Sequence, residues 1–174
     1  MGLILGYIAE VNKNTMAADK YYARGDFVGK SGIELAHEED LRGEKGVEIL
    51  LRDAHGRIQG KYEDGIHDKM PVSGQDLTLS IDIDLQAYGE QLMHNKMGSI
   101  IMIEPKTGEI LAMIAAPSYN PSLLTGRDFG ENFMKLARDP YKPLINRAIS
   151  GVYPPGSTFK PAQGLVFLSE GIIT

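Results

Sequence analysis

Apolar and polar residues follow two different spacings along this chain, and the spacing separates predicted strands from predicted helices. Residues 77–82 alternate with period two, as in a half-buried strand. Residues 3–11 are rich in β-branched and aromatic side chains, which favour a strand. Two hairpins are predicted where a short polar turn joins two apolar runs. They cover 46–62, with the turn at 52–56, and 99–116, with the turn at 105–108.

Helices are predicted where apolar residues recur on one face behind a capping residue. Over residues 31–43, Ser31 is a candidate N-cap, Glu34 is its capping-box partner and Gly43 ends the helix. Residues 21–29 are punctuated by glycine and predict a loop or a single helical turn. Further helices are predicted at 85–97, 132–138 and 162–168.

Composition narrows the range of functions. The 174 residues suffice for one ordinary domain or two small ones. Eighteen basic and twenty-three acidic residues give a net charge of −5, so nucleic-acid binding has no electrostatic support. The absence of cysteine excludes disulfides and thiol chemistry. No run approaches the eighteen apolar residues of a membrane span, and the opening residues do not fit a signal peptide.

The strongest chemical signal is Ser157 followed three residues later by Lys160. The preceding 154–156, Pro-Pro-Gly, cannot be helical, so a helix is predicted to begin at about Ser157, with Pro161 in its first turn. Side chains three apart then share one face. A neutral lysine amine can take the proton of a serine hydroxyl, which predicts serine acyl transfer. On these two residues alone, an N-cap serine beside a solvated lysine is the alternative.

Longer motifs narrow this choice through a family resemblance. Residues 153–161, Tyr-Pro-Pro-Gly-Ser-Thr-Phe-Lys-Pro, resemble the active-site segment of the class B penicillin-binding proteins, the DD-transpeptidases that cross-link peptidoglycan. Residues 29–46 resemble the glycine-rich motif of the pedestal domain in that family. Residues 71–86 resemble the passage from pedestal to catalytic domain. The likeness is greatest to the elongation type and covers nearly the whole chain.

The resemblance implies a fold and a reaction. The expected class is α+β, with a mostly β pedestal region at 1–95 and the N-terminal part of a transpeptidase domain at 96–174. Ser157 would be the nucleophile and its backbone N–H an oxyanion donor, with Lys160 as the general base. Stem peptides ending in D-Ala–D-Ala would be the substrates, and β-lactams would acylate the same serine. No cofactor and no metal are expected.

The resemblance also implies a location and partners. Class B proteins sit in the bacterial inner membrane on a single anchor and face the periplasm, so the chain is expected to be a piece of a longer protein whose anchor precedes residue 1. The implied partners are a SEDS-type membrane glycosyltransferase and other proteins of the elongation complex. An incomplete sheet also predicts either self-association through 99–116 or a disordered or rearranged region at 140–174.

Two further segments match the other two sequence motifs of the family, but they come in the wrong order along the chain. The family order is Ser-x-x-Lys, Ser-x-Asn, Lys-Thr-Gly, whereas here Lys106-Thr107-Gly108 and Ser118-Tyr119-Asn120 come before Ser157. We therefore expect them to be structural, and the catalytic second and third motifs to lie beyond residue 174. Without those motifs, the chain on its own is predicted to be enzymatically inert.

Other candidate sites and functions are weaker. The histidines His37, His55, His67 and His94 lack the spacing of metal ligands. Arg42 is predicted to form a structural ion pair, with Glu34 or another buried carboxylate. A β-lactam sensor and a serine β-lactamase share Ser-x-x-Lys but lack a pedestal motif. A scaffold that docks a membrane glycosyltransferase is the alternative from a different class of function.

Overall fold

A computed structural model describes residues 1–173 of the chain as short helices and three two-stranded antiparallel sheets. The α+β class predicted from the resemblance is confirmed, as a mixture of helices and small antiparallel sheets. The region 1–95 is not mostly β as expected, because more of its residues lie in helices than in strands. No helix within residues 1–173 is both long and apolar enough to cross a bilayer. Within the same residues, 3-10 turns lie at Tyr62–Gly65, Pro121–Leu124 and Gly156–Phe159. The helices are α1 Gly2–Leu5, α2 Lys13–Ala18, α3 Gly32–Ala36, α4 Glu38–Arg42, α5 Ile83–Leu92, α6 Phe129–Arg138, α7 Arg147–Ser150 and α8 Lys160–Ser169; the strands are β1 Ile8–Glu10, β2 Phe27–Gly29, β3 Leu50–Arg52, β4 Ile58–Lys61, β5 Gly98–Ile103 and β6 Ile110–Ala116.

The first sheet pairs β1 with β2, which corrects two predictions. Residues 3–11 are not one strand, because Gly6 has a φ of 87° and separates α1 from β1. Residues 21–29 contain β2 rather than only a loop, since Phe27–Gly29 aligns with Ile8–Glu10. A small apolar core of Val11, Tyr22 and Val28 lies beside this sheet. Here tertiary pairing decided the structure of segments whose local pattern was ambiguous.

The predicted helix over 31–43 is two helices, α3 and α4, which meet at His37. Ser31 makes no side-chain capping bond, so the predicted capping box with Glu34 is absent. The break places Glu38 at the start of α4, where its carboxylate accepts from the Gly29 N–H at 2.7 Å and from the Tyr22 hydroxyl at 2.8 Å. These two bonds fasten α4 to the first sheet.

Gly43 ends α4, as predicted, in a conformation that other residues avoid. Its φ is 63° and its ψ is −156°, a region open essentially to glycine alone. A Cβ there would lie 2.2 Å from the carbonyl oxygen of Val72. The close approach brings the end of α4 against the strand-like segment at 69–74, where Glu44 bridges to Val72.

The hairpin of β3 and β4 is confirmed, but the strand predicted at 77–82 does not form. That segment has no strand partner within the described chain and is tied to β6 by two bonds only. The Ser80 hydroxyl donates to the Ile110 carbonyl at 2.9 Å, and the Asp82 N–H donates to the Leu111 carbonyl at 2.9 Å. Alternating side chains fit a half-buried edge here without a ladder of backbone hydrogen bonds.

The second half of the chain is built on the hairpin of β5 and β6, which is also confirmed. Helix α5 begins behind the N-cap Asp82, whose side chain accepts from two backbone N–H groups, and it packs on β6. Helix α7 packs on both strands. Tyr7 joins the two halves, because its ring lies 6.0 Å from that of Phe129 and 5.8 Å from that of Phe133 on α6.

Candidate active site

The turn that carries Ser157 and Lys160 is helical, as predicted. Gly156 has a φ of 56° and begins a 3-10 turn, which continues directly into α8. The Lys160 N–H donates to the Ser157 carbonyl. In a 3-10 turn three residues make one revolution, so side chains three apart lie above one another. Ser157 and Lys160 therefore project from the same side of the turn.

Thr158 stabilises this turn from its other side. Its N–H and its hydroxyl both donate to the Pro155 carbonyl, the former at 3.3 Å. The turn is thereby closed over the Pro-Pro-Gly lead-in, which cannot supply helical hydrogen bonds of its own. Ser157 keeps its hydroxyl free of these contacts.

Both candidate catalytic side chains are open to solvent. Ser157 and Lys160 are exposed, and in this part of the described chain their side chains make no hydrogen bond to each other. The Ser157 N–H also has no acceptor within residues 1–173, as is usual for the first amides of a helix. A serine hydroxyl, a lysine amine and an unpaired N–H are the types of group that can act as nucleophile, proton acceptor and oxyanion donor, and all three lie on this turn.

Few of the described residues pack around the turn that carries Ser157 and Lys160. Every residue from 151 to 173 is exposed except Gly164, which is half-buried. A groove of about 780 Å³ lies elsewhere, between the end of α5 and the segment after β6. Neither Ser157 nor Lys160 lines it, so this groove and the predicted nucleophile are separate features.

The two wrongly ordered motifs have structural roles. Lys106-Thr107-Gly108 forms the turn between β5 and β6, where Gly108 has a φ of 80°. Tyr119 is buried and its hydroxyl donates to the Gly2 carbonyl at 3.1 Å; burial raises its pKa. Asn120 caps the next 3-10 turn by accepting from the Ser122 N–H at 3.0 Å.

Arg42 forms the predicted structural ion pair, and its partner is Asp19 rather than Glu34. The guanidinium lies 3.0 Å from the Asp19 carboxylate and 3.1 Å from the Tyr22 hydroxyl. It also stacks over the Tyr21 ring, 4.0 Å from the centroid. These contacts raise the pKa of Arg42, chiefly through the hydrogen bond to Tyr22. Arg42 therefore joins α4 to the segment after α2.

Two of the four histidines pair with neighbouring carboxylates. His37 lies 3.1 Å from Asp40, and His67 lies 2.9 Å from Glu63. Among the residues that the structure describes, no three histidine or acidic side chains come together as a set of metal ligands.

Comparison with known proteins identifies both halves of the chain. Residues 1–79 match the family described as penicillin-binding protein dimerisation domain, and residues 98–174 match the penicillin-binding protein transpeptidase domain. The peptidoglycan D,D-transpeptidase MrdA of Acinetobacter baumannii is 38% identical over 172 residues, which cover 98% of this chain and 25% of that protein. The peptidoglycan D,D-transpeptidase PbpA of Mycolicibacterium smegmatis is 56% identical over 136 residues, which cover 74% of this chain and 28% of that protein.

A solved structure of a penicillin-binding protein is also similar to this chain. The penicillin-binding protein PBP2 of Helicobacter pylori, in complex with MreC, is similar over 97% of this chain and 31% of that one, with a TM-score of 0.82 and 31% identity. The chain spans about a quarter of the length of the curated relatives it matches. Two matched regions in the expected order, a relative similar along almost the entire sequence and a shared fold together show that this chain belongs to the penicillin-binding protein family.

Proposed function

We propose that this chain belongs to a peptidoglycan DD-transpeptidase in which Ser157 is the nucleophile and Lys160 the general base. One observation carries the proposal: within the region similar to transpeptidase domains, a 3-10 turn presents these two side chains on the same face. The Ser157 N–H has no acceptor within residues 1–173 and lies at the start of the 3-10 turn that continues into α8. Such a position favours the negative charge that develops on a carbonyl oxygen under attack.

The reaction follows from these roles. The Ser157 oxygen attacks the carbonyl carbon of the penultimate D-Ala while the Lys160 amine takes the hydroxyl proton. The peptide C–N bond breaks, the proton passes to the leaving nitrogen, and D-Ala departs, which leaves an ester on Ser157. An amine of a neighbouring stem peptide then attacks the ester and releases the serine with a new amide bond. The Ser157 N–H is the proposed oxyanion donor in both steps.

A β-lactam would react with the enzyme by the acylation step only. Its strained amide is opened by Ser157, and the acyl-enzyme persists. The isolated 174-residue chain is proposed to be inert, because family members draw on Ser-x-Asn and Lys-Thr-Gly motifs later in their sequence. The loss of a single oxyanion donor already costs about 10²–10³ in rate in a serine protease.

We also propose where the chain divides into two domains, where the intact protein is located and which proteins it binds. A pedestal unit would cover 1–95 and the start of the transpeptidase unit 96–174, with the intact protein anchored in the bacterial inner membrane and facing the periplasm. Partners of the elongation complex, including a membrane glycosyltransferase of the SEDS type, are proposed on the same basis. Support comes from solved relatives, one bound to MreC and one in a peptidoglycan synthase complex.

Labelling with a fluorescent penicillin tests the proposal. The intact protein that carries this chain should be labelled, and Ser157→Ala should abolish labelling. Lys160→Met should slow it by at least about 10²-fold, the scale of lost general-base assistance. Thr158→Val serves as the matched control, since its hydroxyl bonds only to Pro155 and its loss should leave labelling detectable. Labelling of Ser157→Ala at the wild-type rate would contradict the assignment.

A docking role is the second candidate function, and an exposed apolar surface favours it. Ile66 and Met70 are each 79% exposed, and Val72 is 56% exposed, near the β3–β4 hairpin. The three residues lie within seven positions of the sequence, and clustered exposed apolar side chains are typical of interaction sites. The sensor and β-lactamase alternatives are not favoured, because residues 1–79 match a domain of penicillin-binding proteins. Pull-down of partner proteins by the isolated chain, compared with penicillin labelling of the intact protein, separates docking from catalysis.

A further inference from the structure

Arg147 is the one charged residue that the structure buries within residues 1–173, with 9% of its surface exposed. No carboxylate of the described chain forms an ion pair with it. Its guanidinium instead donates to three backbone carbonyls, those of Tyr141 at 2.6 Å, Lys142 at 3.1 Å and Ile145 at 3.5 Å. A planar fork with five donors can serve several carbonyls at once, which the ammonium of a lysine cannot do in the same geometry.

Those carbonyls belong to a tight loop whose backbone is strained. Lys142 has a φ of 48°, the left-handed region that side chains other than glycine seldom adopt. Its carbonyl also accepts from the Ile145 N–H at 3.2 Å. Arg147 is therefore the tie that closes the loop before α7, since it occupies two successive carbonyls of the strained stretch.

Asn146 fixes the start of α7 in the same way. Its side-chain oxygen accepts from the Ala148 N–H at 3.1 Å and caps the helix. Its amide nitrogen lies 3.5 Å from the Leu3 carbonyl on α1 and 3.9 Å from the Met113 sulfur on β6. One side chain thus joins α7 to both halves of the chain.

The end of α7 continues this arrangement towards the nucleophile. A Cβ on Gly151 would lie 2.5 Å from the Arg147 carbonyl and 2.5 Å from the Tyr153 ring. The Tyr153 ring therefore lies directly against Gly151 at the C-terminal end of α7, although both residues are exposed. Ser157 follows Tyr153 by only four residues, across the stiff Pro-Pro-Gly segment.

We propose that Arg147 and Asn146 are positioning residues for Ser157. Asn146 holds the start of α7 against α1 and β6, and Arg147 closes the loop that leads into α7. The position of α7 in turn sets where the turn that bears the Ser157 hydroxyl begins. The assignment deepens the proposed function and rests on Ser157 being the acylated residue. Misplacement of a reacting group by about 1 Å can cost about 10²-fold in rate, so small movements of α7 matter.

Two measurements on the intact protein test this. The first separates the covalent acylation rate constant from the dissociation constant of the initial penicillin complex. Arg147→Met should lower the rate constant about 10- to 100-fold with the dissociation constant within about twofold of wild type. Arg147→Lys should recover part of the rate, and Asn146→Ala should show a smaller loss than Arg147→Met. Arg42→Met is the matched control, because it breaks an arginine network remote from α7 and should leave the rate unchanged.

The second measurement is hydrogen exchange of the backbone amides at 149–158, which does not depend on penicillin. Arg147→Met should exchange faster there than wild type, whereas Arg42→Met should not. Wild-type acylation and wild-type exchange in both Arg147 variants would overturn the positioning role. A wild-type protein that resists penicillin overturns the proposed function instead, and the exchange data still decide whether Arg147 orders the turn. Should Arg147→Met fail to fold, Arg147→Lys carries both measurements.

Discussion

The side-chain amide of Gln86 pairs with both backbone polar groups of Met113. Its oxygen accepts from the Met113 N–H at 2.9 Å, and its nitrogen donates to the Met113 carbonyl at 3.1 Å. Gln86 is 1% exposed and lies on α5, so a helix residue occupies the position of a neighbouring strand along β6. The edge of the hairpin is thereby satisfied and covered at this point, which limits its pairing with other strands.

Replacing Gln86 by leucine should destabilise the protein, even though leucine is more apolar than glutamine and the site is buried. The substitution removes two hydrogen bonds and leaves the Met113 N–H and carbonyl unpaired under α5, at a cost of about 2–4 kcal/mol in the free energy of unfolding. Denaturant unfolding of Gln86→Leu measures it. Gln91→Leu, on an exposed position of the same helix, is the control and should change the free energy by less than about 0.5 kcal/mol. Equal effects of the two substitutions would contradict the role of Gln86.

Asp19 should make part of the stability depend on acid pH. Its pKa is held below the ordinary value of 3.8, first by the hydrogen bond from the Tyr21 N–H and then by Arg42. A carboxylate whose pKa is lower in the folded state stabilises that state above pH 3.8, and the contribution is lost as pH falls through the lowered pKa. The Tm difference between wild type and Asp19→Asn should therefore be constant above about pH 5 and shrink below about pH 4.

The control for this titration is Glu39→Gln, on an exposed carboxylate of α4. It should give only a small Tm difference, because the change is made at an exposed surface position. If the wild-type and Asp19→Asn curves stay parallel down to pH 3, the link between Asp19 and Arg42 does not contribute in the way described.

Gly43 and Gly56 make a matched pair for backbone strain. Both have positive φ, 63° and 79°, but a Cβ on Gly56 would meet no atom within 4 Å, whereas one on Gly43 would strike the Val72 carbonyl. Gly56→Ala should cost about 1–2 kcal/mol from the left-handed backbone alone. Gly43→Ala should cost about 2–5 kcal/mol, because the clash adds to the backbone term. Thermal or denaturant unfolding measures the loss of stability in each variant. Equal losses in Gly43→Ala and Gly56→Ala would show that the close approach of the Val72 carbonyl does not matter.

Local patterns sufficed for part of this structure. The two hairpins, a helix in the region of α5 and the turn at Ser157 were all predicted, because turn residues and proline act on the nearest few residues. The roles of the Ser157 and Lys160 side chains stay predictions. Their assignment depended on the nine-residue motif, since serine and lysine three apart are common.

Long-range contacts decided what the sequence did not predict. The break between α3 and α4 follows from bonds that Glu38 makes to Gly29 and Tyr22, and Arg42 pairs with Asp19, which lies 23 residues earlier. The burial of Gln86 and Arg147 has no local signal, because both residue types are usually exposed. Residues 77–82 kept the period of a strand yet lack a partner strand in the described chain, since alternation reports burial of one face and not a ladder.

The central claim is tested most directly by locating the adduct that benzylpenicillin leaves on the intact protein. Digestion and tandem mass spectrometry of the labelled protein should place the penicilloyl group on the Ser157 oxygen, in the peptide that contains 151–160. An adduct on Thr158 or Ser169, or no adduct on a folded protein, would contradict the account.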